Sequence, residues 1–548
     1  VQIEKRHLIW ASIILLIISV FSSINSIGLR AEEPRRAVTG FEVYESGNLI
    51  VPQIHGKPYY NKPPLYSYLI AATYYITGSF NEWAVRLPGI LSFLLTGLLA
   101  FWIARKYSDT DTAFLAAFGY LTSVDLLFYA SVNAGQIDLF YTFISLAQVV
   151  SIFYFYQKRQ FNLMYITSYI LAALGTLTKG MPSIAIQIIT IAAYLAYYKD
   201  WKIYFSKKHI TGILLFIIII GGYFFLYSQQ ENATGFIENL YKESSKRTIS
   251  DMPFFSSLVT IVTFPGQIFT ILLPWSVLAI YMFRKNIKAT IRSNPYVVFS
   301  VIFVLTNIII YWFSPRFKNR YAYIFVPSFT FLLAYFYTSF RNTEIKKTRF
   351  IEAFWLSVIA LVGIASLATP FVDILKNNVK HVTIYAVSFF ILSALIFWLY
   401  YKQKTNRMYI FIIFIITCRI GFNLFIIPLE NKKSNATTYK THVNNMLEIA
   451  KGEPIYYTGE LLKIEPNVSF FNLNFAKTTI YTPPLIPYEI PYYLSLQTKT
   501  ILPYTEKTEK GKLYLVHMKY LKDFHIDILY SFIETWEYDK RMILYRKK

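Results

Sequence analysis

Long apolar runs dominate the chain, and about thirteen of them approach the ~20-residue length that a helix needs to cross a bilayer. They lie near 8–27, 85–104, 111–128, 139–157, 162–178, 182–198, 209–228, 256–283, 295–313, 321–340, 350–369, 383–401 and 408–427. Basic residues collect in alternate connections: Lys5 and Arg6, Arg105 and Lys106, Lys158 and Arg159, Lys199 to Lys208, Arg284 to Arg292, Arg341 to Arg349, and Lys402 to Arg407. By the positive-inside rule these connections and the N-terminus are cytoplasmic, and an odd number of spans puts residues 428–548 outside. The first run has no small-residue cleavage site ahead of the charged Arg30–Arg36 stretch, so it reads as a span and not a removed signal.

The pattern also divides the chain. Residues 1–427 form a membrane-embedded domain with one long outer loop, 28–84. That loop holds two amphipathic stretches. Pro34 suits a first helical turn, Ala37–Ser46 continues it, and Gly47 stops it. The second, Lys62 to Tyr75, starts with a proline pair, runs apolar until Gly78, and is too short to cross; it reads as an interfacial helix. After Pro428 the apolar runs shorten. A helix over Thr441–Lys451 and strands at Ile455–Thr458 and Lys512–His517 predict a small α/β domain over 428–548, of about 120 residues and able to build a modest core. The predicted fold is therefore a polytopic α-helical membrane protein with a C-terminal α/β extramembrane domain.

Composition agrees: of 548 residues 55% are hydrophobic and 19% aromatic, and mean hydropathy is +0.39, outside the range of soluble domains. The net charge of +23 lies in the alternate loops, so it reports topology and not nucleic-acid binding. The one cysteine, Cys418, sits in an apolar run, and the seven histidines show no metal-ligand spacing.

The chemistry-bearing segment is Gly28-Leu-Arg-Ala-Glu-Glu-Pro-Arg-Arg-Ala-Val38, which packs two carboxylates and three guanidinium groups beside a membrane, where charge is expensive. Glu32 and Glu33 fall at a helix N-terminus, which favours their ionised forms. Glu32 and Arg36 are spaced i, i+4, as are Glu82 and Arg86, and such spacing predicts pairing along a helix. A self-paired, solvated juxtamembrane helix accounts for the same residues equally well.

These residues belong to an ordered series: Ala31-Glu-Glu-Pro-Arg-Arg-Ala37, Gly47-Asn-Leu-Ile-Val-Pro52, Lys62-Pro-Pro-Leu65, Asn81-Glu-Trp-Ala-Val-Arg-Leu-Pro88, Gln136-Ile-Asp138, Leu177-Thr-Lys-Gly180, Leu273-Pro-Trp275 and Lys318-Asn-Arg-Tyr321. The series resembles the bacterial aminoarabinose-transferase and protein-mannosyltransferase-like superfamily of GT-C glycosyltransferases, over roughly residues 1–427. Three positions depart from the pattern: Glu32 where Asp is frequent, Arg36 where an aromatic is common, and Asn61 where Glu often stands. They leave open the sugar, the acceptor and any divalent metal.

The resemblance implies transfer of a sugar from a polyprenyl-phosphate carrier on the outer face of the inner membrane, to lipid A or to a protein hydroxyl; nucleic acid is not a partner. The carrier phosphate gains negative charge as the glycosidic bond breaks, so fixed cations aimed at it stabilise the transition state. Lys62, Arg247 and Arg320 are the donor-phosphate candidates, with Arg316 and Lys318 on the same side; Lys62 also suits a snorkelling anchor. Glu32 is placed to activate or orient the acceptor, with Glu33 and Arg35 in support. Asp138 either binds the acceptor, holds Arg35, or caps its helix. Lys179 stands at a break between spans, as a cavity group or an ion-pair partner, and Arg419, inside the last span, requires a buried partner or polar cleft. A lipid-linked-sugar transporter is the competing class, but paired broken helices in inverted repeats are not visible.

Overall fold

The computed structural model describes residues 3–129, 132, 134–245, 254–285, 287–314, 317–464, 480–484, 486–521, 525–534 and 541–548. Each of the thirteen apolar runs is largely helical. Among the described residues nine helices are long and apolar enough to cross a membrane, or ten if Leu258–Ile271 and Trp275–Met282, bent by 114° at their break, count as one. The other three runs give Lys5–Phe21, Thr110–Leu121 and Pro182–Tyr198, of 17, 12 and 17 residues. At 111–128 the cause is local: the Thr122 hydroxyl donates to the Phe118 carbonyl and Ser123 Oγ to the Gly119 carbonyl (2.7 Å), supporting a helix end where composition alone predicts continuity.

Burial grades the bundle. Lys207–Ser228, Ile345–Phe371 and Val382–Lys402 leave most of their residues uncovered, as lipid-facing helices do, whereas Asn319–Phe340 and Ile137–Gln157 are mostly buried at its centre. One end is basic and ties the N-terminus to the late loops: Lys5 Nζ lies 2.9 Å from Asp111, Arg341 Nη2 2.8 Å from the same carboxylate, and Asn406 Nδ2 donates to the Ile3 carbonyl at 2.8 Å.

The long first loop occupies the opposite end. Helix α1, the 17-residue Lys5–Phe21, leads into it; α2 spans Glu33–Ser46 with Pro34 in its first turn, and Gly47 ends it at φ +65°, a left-handed conformation that favours glycine. A short hairpin pairs Gln53–Ile54 with Lys57–Pro58. Helix α3, Leu65–Thr77, packs Tyr66, Ile70 and Tyr74 inward and leaves Tyr75 and Ile76 exposed, and α4 follows as the span Glu82–Tyr107.

Residues 436–548 sit on this loop. A helix, Ala436–Ala450, precedes a five-stranded mixed sheet ordered Tyr504–Thr505, Ile455–Thr458, Leu513–His517, Arg541–Lys547, Ile526–Ile533. The first three strands are parallel and the last two pairings antiparallel. Loop and tail share one hydrophobic core, in which Ala37, Phe41, Tyr66 and Ile70 meet Tyr439, Val443, Ile490 and Tyr493. Polar contacts cross the same seam: Lys440 to Glu82 (2.8 Å), Tyr492 Oη to the Phe80 carbonyl (2.9 Å), and Tyr504 N to the His55 carbonyl (3.0 Å). Gly28 is needed here because a Cβ on it would come within 2.2 Å of Ala436 Cβ.

Candidate active site

The charged segment splits into a structural half and an exposed half. Glu33 is fully buried, and its carboxylate accepts from Arg86 Nε (2.8 Å), Arg86 Nη2 (3.1 Å), Gly135 N (2.6 Å) and Arg30 N (3.1 Å). Arg86 spends its remaining donors on the carbonyls of Ile24 (2.7 Å), Ile27 (2.8 Å) and Gly28 (3.2 Å), so all five guanidinium hydrogens have acceptors. The predicted Glu82–Arg86 pair does not form, because the tail supplies Lys440 for Glu82 while the fold brings Glu33 to Arg86.

Glu32 stands at the N-cap of α2, about one-third exposed, and pairs with Arg35 one turn on. The predicted i, i+4 pair of Glu32 with Arg36 is replaced by this i, i+3 pair, since α2 begins only at Glu33 and turns Arg36 inward. The Arg35 guanidinium lies 5.8 Å from the ring centres of both Tyr59 and Tyr488. Arg36 is 8% exposed, stands 5.8 Å over the Tyr66 ring, and its Nε has no hydrogen-bond partner. Burial lowers its pKa and the Asp138 carboxylate opposes that shift. Arg35, Arg36, Lys62, Tyr59, Tyr66 and Ile137 line one narrow cleft of about 10 Å³. The Lys62 side chain therefore faces into the protein beside the charged helix.

Asp138 lies in the first turn of Ile137–Gln157, whose N-cap is Gln136, and it makes no cap. Its carboxylate contacts Lys179 Nζ at 2.6 Å and Arg320 Nε at 3.9 Å, and Arg36 is its third cationic neighbour. Lys179 is 4.9 Å from the ring centres of Tyr141 and Tyr321. Arg320, in the largely buried turn Asn319–Phe325, donates from Nη1 to Gln136 Oε1 at 3.2 Å. Asp138 is thus held by Lys179 and Arg320, with Arg35 turned instead to Glu32. Lys318 is exposed, and Arg247 and Arg316 lie outside the described residues. Arg419 is 1% exposed, gives Nη1 to the Leu127 carbonyl at 2.6 Å, and stacks 5.1 Å from the Phe422 ring. That carbonyl is the polar group its place in the last span demanded, although its Nε and Nη2 have no partner.

Sequence reading missed three members of this region. Arg36 was read only as a partner for Glu32 and as a departure from a family pattern, and its burial beside Asp138 has no local signal. Tyr488 lies more than 400 positions from Arg35. Glu42, on the inner face of α2, accepts from His55 N (2.5 Å) and Gly56 N (2.9 Å), and burial pushes its carboxyl up to about 7.

A family model described as dolichyl-phosphate-mannose-protein mannosyltransferase matches residues 61–223. The structure superposes on that of ArnT from Cupriavidus metallidurans bound to undecaprenyl phosphate with a TM-score of 0.70 at 14% identity, covering 99% of this chain and 98% of that one. Residues 61–223 thus match that mannosyltransferase family model, and the chain as a whole has the fold of ArnT. The series of motifs that suggested such a family and the fold now agree, and the membrane part with its mixed-sheet tail is the architecture shared with that structure. An uncharacterized protein of Aquifex aeolicus is 25% identical over 334 residues, 60% of this chain and 62% of the relative. The undecaprenyl phosphate-alpha-4-amino-4-deoxy-L-arabinose arabinosyl transferase of Edwardsiella ictaluri is 30% identical over 176 residues, 31% of each chain. The chain thus spans less than two thirds of the first relative and about a third of the named transferases.

Proposed function

We propose that the protein transfers a sugar from a polyprenyl-phosphate-linked donor to lipid A on the outer face of a bacterial inner membrane. The observation that carries this reading is the surplus of positive charge about one buried carboxylate: Arg36, Lys179 and Arg320 surround Asp138, beside a Glu32 that remains accessible. A phosphate-bearing donor completes such a cluster, and a partly exposed carboxylate suits the acceptor side. The undecaprenyl phosphate bound to the similar ArnT structure supports the donor class.

In the proposed step an acceptor oxygen attacks the anomeric carbon and the bond from that carbon to the carrier phosphate oxygen breaks. The electron pair leaves with the polyprenyl phosphate, where Lys62, Arg247 and Arg320 offset its growing charge. A hydroxyl acceptor gives its proton to Glu32; a phosphate acceptor arrives ionised and Glu32 orients it. Glu33 and Arg35 hold the segment that carries Glu32. The loop–tail end is assigned to the periplasm, because the basic loops and the N-terminus lie at the other end.

A second acceptor, a protein hydroxyl, is favoured by the protein-mannosyltransferase description of the matching family model. Mass spectrometry of envelope lipids and of envelope glycoproteins from a deletion strain decides between them: loss of a sugar from lipid A supports the first, and loss from glycoproteins alone supports the second. Reconstituted vesicles that move labelled lipid-linked sugar across the bilayer without transferring it would replace both with a transporter.

A further inference from the structure

The seam between loop and tail is hollow beside Arg35. A pocket of about 340 Å³ opens there, with Tyr59, Asn61 and Asn239 on its membrane-domain side and Thr482, Pro484 and Tyr488 on its tail side. It is close to the lower bound of ligand pockets, roughly 300–1,000 Å³, and fits one substituted ring better than a chain. Each wall is fixed. Asn239 Nδ2 donates to the Tyr60 carbonyl at 2.9 Å, which ties the helix Ala233–Ser245 to the first loop. The buried Tyr457 of the central sheet donates its hydroxyl to the Pro484 carbonyl at 2.9 Å, which holds the proline strap in place.

The lining states a chemistry. Tyrosine faces with amide and hydroxyl groups between them suit the C–H faces and hydroxyls of a sugar. Two cationic side chains, Arg35 and Lys242, also line the pocket, and among the described residues no Asp or Glu does. Arg35 joins this pocket to the cleft that contains Lys62, and its guanidinium is clamped between Tyr59 from the loop and Tyr488 from the tail, 5.8 Å from each ring. The carboxylate paired with it is that of Glu32.

We infer that the tail is part of the active site: Tyr488 and the Thr482–Pro484 strap form the far wall of the acceptor pocket, Tyr488 positions Arg35, and the pocket takes a sugar ring bearing an anionic substituent. This rests on the sugar-transfer reading above. Within it, the tail selects the acceptor while the membrane domain holds the donor.

The test uses full-length protein in nanodiscs with a polyprenyl-phosphate-linked sugar donor. Its acceptor probes are a phosphorylated glucosamine disaccharide carried on lipid, the same phosphorylated disaccharide without lipid, and the lipid-borne disaccharide without phosphate. Tyr488→Ala is expected to raise KM for both phosphorylated acceptors about tenfold, the scale of one desolvated cation–aromatic contact. Tyr488→Phe, which keeps the ring, recovers most of that loss. Lys242→Ala raises KM for the phosphorylated probes and not for the neutral one. Tyr520→Ala, in a separate cleft of the tail, matches wild type and controls for general disturbance of the domain.

An acceptor KM within twofold of wild type in Tyr488→Ala overturns the inference, as does a fall in kcat alone. A shift confined to lipid-borne probes also overturns it, because the contact would then be with acyl chains. If wild type transfers no sugar, the functional reading fails by itself. Native mass spectrometry of the soluble sugar phosphate then decides the pocket, through binding that Tyr488→Ala weakens or leaves unchanged.

Discussion

Two carboxylates near opposite ends of the helical bundle, Asp111 and Asp138, have similar addresses and different surroundings. Each lies in the first turn of a helix and each meets two basic side chains. At Asp111 every contact is direct: Lys5 Nζ at 2.9 Å, Arg341 Nη2 at 2.8 Å and the Tyr409 hydroxyl at 2.8 Å, with Arg407 paired to Glu352 nearby. At Asp138 only Lys179 is direct, Arg320 stops at 3.9 Å and shares itself with Gln136, and Arg36 adds a guanidinium whose Nε has no partner. The first carboxylate ties helices together. The second holds only one of its cations in close contact and leaves the other two set back from it, an arrangement suited to an anion that comes and goes. The difference teaches that buried ion pairs are sorted by whether each charge is held in direct contact, not by how many there are.

The largest effect expected from breaking this division is at Glu33. Glu33→Gln leaves the fully buried Arg86 without its counter-charge, and removing one partner of a buried pair costs about 3–5 kcal/mol. The variant should lose folded yield and unfold at a markedly lower temperature, as read by size-exclusion and thermal melts. A stable, merely slow Glu33→Gln would move Glu33 to the chemical half of the motif.

Glu32→Gln should do the reverse. The partly exposed carboxylate tolerates substitution, so insertion and carrier binding remain while sugar transfer at saturating donor falls by about 10³, within the range for a general base. Full activity in this variant together with a folded but dead Glu33→Gln would shift the motif by one residue. Lys62→Ala comes next, with transfer lowered by roughly 10² and weaker carrier binding, as for loss of one donor to a developing anion; unchanged kinetics would reduce Lys62 to an anchor.

Asp111→Asn sharpens the comparison from the other end. It should cost about 1–3 kcal/mol of stability through the unpaired Lys5 and Arg341, with the rate per folded molecule unchanged. A slower turnover would mean that the basic end is coupled to the reaction.

The smallest effect concerns pH at the loop–tail seam. Burial pushes the Glu489 carboxyl up to about 7, so the folded protein holds a proton that the unfolded chain releases near 4.5. The stability this contributes is full below about 4.5 and is lost as pH rises to about 7. His55, lowered by burial to about 4, works in the opposite sense between about 4 and 6.5. Glu42, pushed up by burial to the same value, keeps its own share of the decline, so Glu489→Gln should lessen the fall in stability toward neutral pH in melts taken across that range without abolishing it; an unchanged profile would show that Glu489 ionises freely in the folded state.

Much of the charged loop was legible because its signals are local. Proline in a first turn, glycine at a left-handed stop and a run too short to span each act within one helical turn, and α2 and α3 follow them closely. The pairings were not legible. Both i, i+4 pairs read from spacing were displaced, Glu82 by Lys440 and the Glu32–Arg36 pair by Arg35, because long-range packing decides which neighbour a charge meets. The helix break inside the third apolar run was not legible either: hydropathy measures apolar length, whereas the Thr122 and Ser123 hydroxyl bonds at that helix end barely alter the average.

The sequence by itself determined the membrane class, the helical runs, the basic-loop alternation and the segment where the charges gather. All of these depend on composition, or on residues adjacent along the chain. Tertiary structure alone decided that Glu33 is a buried strut for Arg86, that Arg36 joins Asp138, Lys179 and Arg320, and that Tyr488 reaches across more than 400 positions to clamp Arg35. Buried charges and rings take their energy from whatever the fold brings within a few ångströms, and separation along the chain carries no record of that.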